Sequence, residues 1–345
     1  MENVFLTDVL NQPEAMANAM AVYETYGPQM AQIAALHPPQ VLFTGMGSSH
    51  WCSQGAVITL NRAGIPARME SASEILHYEW GAITSGTLLV LTSQSGESGE
   101  IVDILEKLPR EQAVIGITNN PDSSLGRRAD ICLQMRVAPE LAVSTRTYLA
   151  SLVLSDMVAA ALLGEDFRNS LAQFSAAADV LADYLKNHNR MQEQIMGLFG
   201  CPSSVCYIGR GFGRATAECG GLFTRETAKY PALSFDSGEF RHGPFEMVDE
   251  HFCCMVFAPE GVGLQMQKNL TEAIASHGGR VVFVTDSDAA FDSDRVLVLR
   301  HGNLNERYAP LVQIAAPQLF ANAMAIHRGF APGVFRQSSK ITTVQ

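Results

Sequence analysis

No stretch of the chain approaches the roughly 18 uninterrupted apolar residues that a membrane-spanning helix needs. The longest apolar run, Leu149 to Leu163, is broken by Ser151, Ser155 and Asp156, which predicts a buried helix and no contact with a membrane. Charge is sparse, at 17% of residues, and the net balance of −11 leaves no basic surface for a nucleic acid. The opening residues, MENVFLTDVLNQPEAM, have neither the basic start nor the apolar centre of a signal peptide, so a cytoplasmic protein is expected. Seven cysteines are scattered without a CxxC pair or a compact Cys/His cluster. That argues against a disulfide framework and a zinc site, and for reduced thiols with no metal. The nucleotide-binding signatures are incomplete too. GMGSS and GRGFG have His50 and Arg214 where a dinucleotide fingerprint needs its third glycine, and no P-loop lysine is present. No cofactor is expected.

What is present is a compact composition, 47% hydrophobic over 345 residues, enough for two domains with cores of their own. The chain also repeats itself with a period of roughly 165 residues. VLFTG opens onto Gly45-Met46-Gly47 in the first half, and VCYIG opens onto Gly209-Arg210-Gly211 in the second. SASEILH matches DSGEFRH, setting Glu74 against Glu239 and His77 against His242. LLVLTSQSG then lines up with CCMVFAPEG, and AVIGITNN with RVVFVTDS. Short continuous runs of Val, Ile, Leu and Phe between helical stretches predict parallel strands buried on both faces, joined by right-handed crossovers. The expected fold is α/β, two tandem doubly wound parallel sheets. Residues 1–38 form a helical lead-in, 39–166 the first domain, 167–200 a connecting helix, 201–330 the second domain and 331–345 a C-terminal tail.

Ligands of open α/β sheets sit beyond the C-terminal ends of the strands. One such end carries Ser93-Gln94-Ser95-Gly96-Glu97-Ser98 ahead of the helix GEIVDILEKL, and another carries Gly47-Ser48-Ser49. Ser144 and Thr145 open a third helix. Hydroxyls and backbone N–H groups at helix starts can converge on one anion, and without a P-loop lysine they suit a sugar phosphate. Each could equally be an ordinary N-cap.

TSQSGES, GMGSS, AVSTRTYLAS and SGEFRHGPFEMVD resemble the sugar isomerase (SIS) domains found in the isomerase half of glutamine–fructose-6-phosphate aminotransferase and in related deaminases and deglycases. The resemblance runs from about Val41 to Gln345 and implies tandem SIS domains. It implies that Ser93, Gln94, Ser95 and Ser98, with Ser49, bind the phosphate, and that Gly47, Ser48, Ser144 and Glu239 line the substrate. It implies that Glu226 is the base between C1 and C2. His242 helps to open the sugar ring, reaching the site from the neighbouring subunit of a homodimer. Lys340 is the tail lysine that forms a Schiff base with the open-chain sugar. From the residues alone, Glu226 could be an ordinary helix glutamate, His242 a loop histidine and Lys340 a solvated tail lysine. Glu239 and His242 could also be two metal ligands at i and i+3.

Two departures stand out. The chain opens Met1-Glu2-Asn3, without the N-terminal glutaminase of the aminotransferase, so glutamine-dependent synthesis is not expected. Phe223 stands where the family pattern has a lysine. The implied function is a phosphosugar isomerase, deaminase or deglycase acting on a 6-phosphorylated amino-sugar or sugar–amine adduct. The alternative is a sugar-phosphate sensor without catalysis.

Overall fold

The computed structural model describes residues 3–140 and 143–337. The chain falls into two compact units. One is built from Glu14–Glu140 and Ser144–Ser175, the other from Ala176–Phe335 together with the residues up to Pro13.

Three helices precede the first sheet, α1 (Val4–Leu10), α2 (Gln12–Tyr23) and α3 (Gly27–Ala34). The sheet itself alternates strand and helix: β1 (Gln40–Gly45), α4 (Ser48–Trp51), α5 (Gln54–Arg62), β2 (Ala67–Ser71), α6 (Ala72–His77), β3 (Thr87–Thr92), α7 (Gly99–Lys107), β4 (Val114–Thr118), α8 (Ser124–Arg128) and β5 (Ile131–Gln134). All five strands run parallel in the order β2-β1-β3-β4-β5. The continuous apolar runs read as strands because both of their faces are covered. Leu42, Leu89, Leu91 and Val114 pack against Ile101, Ile104 and Leu105, the i, i+3, i+4 stripe of α7, and against Ala72 and Ile75 of α6. Each isoleucine or leucine so buried contributes about 1.5–3 kcal/mol. The apolar run that follows forms α9 (Arg146–Leu162), buried along all 17 of its residues. No helix among the described residues is long and apolar enough to cross a membrane.

Beyond α10 (Phe167–Leu185), through which the boundary between the units passes, and α11 (His188–Phe199), the pattern repeats. It runs β6 (Val205–Gly209), α12 (Gly213–Ala228), β7 (Ala232–Asp236), α13 (Ser237–Arg241), β8 (Cys253–Phe257), α14 (Leu264–Ser276), β9 (Arg280–Thr285) and β10 (Val296–Arg300), closed by α15 (Pro310–Gln313) and α16 (Ala315–His327). The strands are again parallel, in the order β7-β6-β8-β9-β10. Strand for strand this is the first order over again, so the duplication read from the sequence is a duplication of topology. Here Cys206, Ile208, Cys254, Val256, Val281 and Phe283 meet Leu270 and Ile274 of α14, and Phe240 of α13 stands where Ile75 stands in the first copy. α16 is tied down by buried amides. Gln12 and Gln318 exchange two hydrogen bonds of 2.9 and 3.1 Å, and Asn3 donates to Asn322 at 2.7 Å. All seven cysteines are free thiols.

Candidate functional site

In the first sheet the chain leaves β1 towards β2 on one side and leaves β3 towards β4 on the other. The ends of β1 and β3 therefore flank the point where the strand order reverses, the place where doubly wound sheets open a crevice. The two hydroxyl-rich loops stand at these two adjacent ends. Gly45 lets them approach, since a Cβ there would lie 2.6 Å from the Ser49 carbonyl oxygen and 2.8 Å from that of Thr92. Gly47 then turns the chain into α4 at φ 55°, ψ −124°, a conformation closed to other residues. Gly47, Ser48, Ser49, Ser93, Gln94, Ser95 and Ser98 are thus gathered at one sheet end.

The loop after β3 is internally braced. Ser93 is buried, its hydroxyl meets that of Ser98 at 3.0 Å, and it accepts the Gly96 N–H at 3.1 Å. Gly96 sits at φ 70° against Ser123, where a Cβ would come within 1.9 Å of the serine hydroxyl. The Gln94 carbonyl accepts from the Asn119 N–H at 3.0 Å and the Thr118 hydroxyl at 3.3 Å. Asn119 in turn brackets Val137, donating to its carbonyl at 2.9 Å and accepting its N–H at 3.3 Å. Glu97 points the other way. It accepts the Ser124 N–H at 2.7 Å and the Ser124 hydroxyl at 2.8 Å, and these bonds, the N–H first, hold its carboxyl below the usual range.

Whether these serines are merely helix caps can be read directly. Ser71 caps α6 through the Glu74 N–H, and Ser123 caps α8 through the Gly126 N–H. Ser98 occupies the N-cap of α7 with the backbone of a cap, yet makes no side-chain capping bond, its hydroxyl being turned to Ser93. The start of α9 is different again. Buried Glu140 accepts the N–H and hydroxyl of Thr145 at 2.9 and 3.0 Å, and those of Thr147 at 2.9 and 2.7 Å, while Ser144 pairs with the Thr147 hydroxyl at 2.8 Å. This helix start, expected to offer hydroxyls to a ligand, is filled by a carboxylate of the chain itself.

The acid–base candidates lie in the other unit. Glu226 stands two residues before the end of α12, the helix that runs back from β6 to the start of β7. Burial pushes its carboxyl up to about 7, against the lowering influence of Arg225 and Lys229. Phe223, one turn earlier, has 0% exposure and belongs to the core. Glu239 and His242 lie beyond the far end of β7. Asp236 caps α13 by accepting the Gly238 and Glu239 N–H groups at 2.7 and 3.3 Å, Glu239 projects from that turn, and exposed His242 ends it. Glu226 and His242 of one chain therefore lie beyond opposite ends of the same strand, whose five residues span about 16 Å. Among the described residues no group of three or more His, Cys, Asp or Glu could hold a metal, which leaves Glu239 and His242 without further ligands. Lys340 lies outside the described residues. Glu140 and Asn119 were not singled out from sequence. Their partners are reached through turns and helix ends, and only AVIGITNN, as a repeated block, drew attention to Asn119.

The SIS domain family model matches residues 36–161. The glutamine–fructose-6-phosphate aminotransferase (isomerizing) of Pyrococcus horikoshii is 28% identical over an alignment covering 100% of this chain and 58% of that protein. The chain thus spans under two thirds of the relative's length. Among solved structures, the C-terminal domain of glucosamine-fructose-6-phosphate aminotransferase from Francisella tularensis superposes with a TM-score of 0.83 at 24% identity, over 95% of this chain and 97% of that one. Glucosamine-6-phosphate deaminase from Thermotoga maritima does so with a TM-score of 0.78 at 19% identity, over 98% and 99%. These two share the fold.

Proposed function

The chain is a SIS-domain protein homologous to glutamine–fructose-6-phosphate aminotransferases, and from that premise we propose that it is a phosphosugar enzyme. It acts at C1–C2 of a 6-phosphorylated amino-sugar or sugar–amine adduct, by aldose–ketose isomerisation, deamination or deglycation. The observation that carries this reading is the sheet end shared by β1 and β3. There Ser98 leaves the first turn of α7 without a side-chain cap, and three serines and a left-handed glycine shape a loop at the positive end of that helix. A phosphate seated on Ser49, Ser93, Gln94, Ser95 and Ser98 anchors the end of the sugar remote from the chemistry, so its binding energy orients C1 and C2.

Glu226 then takes the proton from one carbon and returns it to the other. A carboxyl pushed up to about 7 is still ionised in good part at neutral pH and is a stronger base than an ordinary glutamate. Histidine suits ring opening, since it can give and take a proton near neutrality. Because Glu226 and His242 of one chain flank opposite ends of β7, the histidine that serves a given substrate comes from a second copy, which makes the enzyme a homodimer. Lys340 adds its amine to the open-chain carbonyl. Water leaves, and the imine acidifies the neighbouring C–H that Glu226 attacks.

A screen of 6-phosphorylated amino-sugars, fructosyl-amine 6-phosphates and plain hexose 6-phosphates, read for released ammonia, released amine and aldose–ketose exchange, tests the reading. Glu226→Gln should abolish turnover, by about 10²–10⁴-fold, and keep ligand binding. Unchanged turnover would remove Glu226 from the mechanism. The sensor reading draws on Phe223, an apolar core residue where the family pattern has a lysine. Tight binding of a sugar phosphate with no turnover by the unaltered chain would establish it instead.

A further inference from the structure

Two helices start at the sheet end that carries the serines, α7 from the loop after β3 and α8 from the loop after β4. A helix start leaves four N–H groups without partners inside the helix. At α8 all four are taken. The Ser123 N–H goes to the Asn120 carbonyl at 3.2 Å and the Gly126 N–H to the Ser123 hydroxyl at 3.1 Å. The Leu125 N–H goes to the Gly96 carbonyl at 3.1 Å, and the Ser124 N–H to the Glu97 carboxylate at 2.7 Å. The last two acceptors both belong to the serine loop. α7, whose N-cap Ser98 lies in that same loop, has no side-chain capping bond.

Glu97 is the odd member of the loop. A carboxylate between Ser95 and Ser98 repels the dianion that its neighbours are read as binding, so Coulomb's law alone disfavours it there. What it supplies is an attachment. Its two oxygens take the N–H and the hydroxyl of a single residue, Ser124, at 2.7 and 2.8 Å, and both bonds break if the side chain turns towards α7. Its own N–H donates to the Ser95 hydroxyl oxygen at 3.2 Å, which leaves the Ser95 proton available as a donor. The negative charge is thus spent on one helix start while the backbone beside it orients a serine.

We propose that Glu97 is a positioning residue, a pin that fixes the serine loop to the start of α8 so that Ser95 and Ser98 are held for an anion and the start of α7 stays open to it. The proposal rests on the phosphate reading given above. It also reverses the sign that charge alone would give. Removing a negative charge from an anion loop should tighten binding, whereas removing a pin should loosen it.

Glu97→Ala, Glu97→Gln and Ser124→Ala in the full chain separate the two. Hydrogen exchange of peptides spanning residues 93–98, followed without ligand, reads the pin itself. Exchange should be faster by about tenfold in Glu97→Ala and near the original rate in Glu97→Gln, whose amide oxygen still takes the Ser124 N–H while the Ser124 hydroxyl rotates to accept. Unchanged exchange in Glu97→Ala overturns the pin. Titration with inorganic phosphate at constant ionic strength reads the consequence. Glu97→Ala should bind about tenfold more weakly and Glu97→Gln within about threefold of the unaltered chain. Equal or tighter binding by Glu97→Ala overturns the positioning role. The double variant Glu97→Ala/Ser124→Ala should bind no more weakly than Glu97→Ala, since Ser124 acts through the carboxylate. Additive losses overturn that pairing. If the unaltered chain takes up no phosphate, the phosphate reading falls, and exchange alone then judges the pin.

Discussion

The same three positions close the loops at the ends of the two sheets, and they are used in opposite ways. β4 ends on Thr118, followed by Asn119 and Asn120, and β9 ends on Thr285, followed by Asp286 and Ser287. In both copies the threonine hydroxyl bonds back to the loop after the middle strand, to the Gln94 carbonyl at 3.3 Å and to the Ala258 carbonyl at 2.7 Å. The next residue differs by one atom pair and reverses the electrostatics. Asn119 presents its own backbone N–H to Gln94 and spends its side chain on Val137. Asp286 presents a carboxylate, which takes the Glu260 N–H at 2.7 Å and the Leu304 N–H at 3.0 Å. A further carboxylate, from Glu306, crowds Gly261. The second sheet end thus carries its own anions where the first carries hydroxyls. Two copies of one topology thus present different chemistry through a handful of loop residues while their cores stay alike.

The sharpest way to break this comparison is to place the same methyl group in both loops. Gly96 and Gly261 are equivalent and both have positive φ, 70° and 153°. Gly96→Ala drives a Cβ into Ser123 and should weaken sugar-phosphate binding by about 100-fold, with strain of about 1–3 kcal/mol in the loop. Gly261→Ala meets the Glu306 side chain, 2.5 Å from its carboxylate oxygen and 3.2 Å from its Cβ, and should leave binding within about twofold while still costing some stability. Isothermal titration with the ligand found in the screen distinguishes them. Equal losses would mean that the second loop also touches ligand.

A smaller effect separates the acids of the two units. Glu97 is held below the ordinary carboxylate range by hydrogen bonds, whereas Glu226 is raised from 4.5 to about 7 by burial. The sign for Glu226 is definite. Between those values the folded chain binds the proton more tightly than the unfolded chain does, so this residue lowers stability as pH rises from 4.5 to about 7 and no further above it. Glu226→Gln, which does not titrate, should be more stable than the unaltered protein at pH 8, by no more than about 3 kcal/mol, and no more stable at pH 4. Denaturant midpoints at the two pH values check this. Equal differences at both would mean that Glu226 is solvated as an ordinary surface acid.

The middle strands were legible in the sequence because both of their faces are buried. VLFTG, LLVLT and VIGIT in one copy, and VCYIG, CCMVF and VVFVT in the other, are unbroken apolar runs, and the repeat aligned them. The edge strands were not. β5 reads ICLQ with every second residue buried, and β10 is half-covered along most of its length, so neither gives the signal of a doubly buried strand. The first crossover was also less regular than its counterpart, since SSHW and QGAVITLNR form two helices where α12 is one. The serines of the loop were visible as a motif. What decides their role was not, because the turn of Ser98 towards Ser93, the plug that Glu140 puts into α9 and the hold of Glu97 on Ser124 are contacts that depend on the folded path of the chain.

The placement of Glu226 and His242 at the two ends of β7 has a consequence for stoichiometry. Under the proposed function, each polypeptide owns two halves of different catalytic centres and no whole one. Two dead proteins, Glu226→Gln and His242→Asn, should revive one another when dissociated and mixed in equal amounts, since each hybrid pair rebuilds one of its two centres and about half of the re-paired dimers are hybrids, so the mixture recovers about a quarter of full turnover. Silence after subunit exchange would mean that every chain works alone.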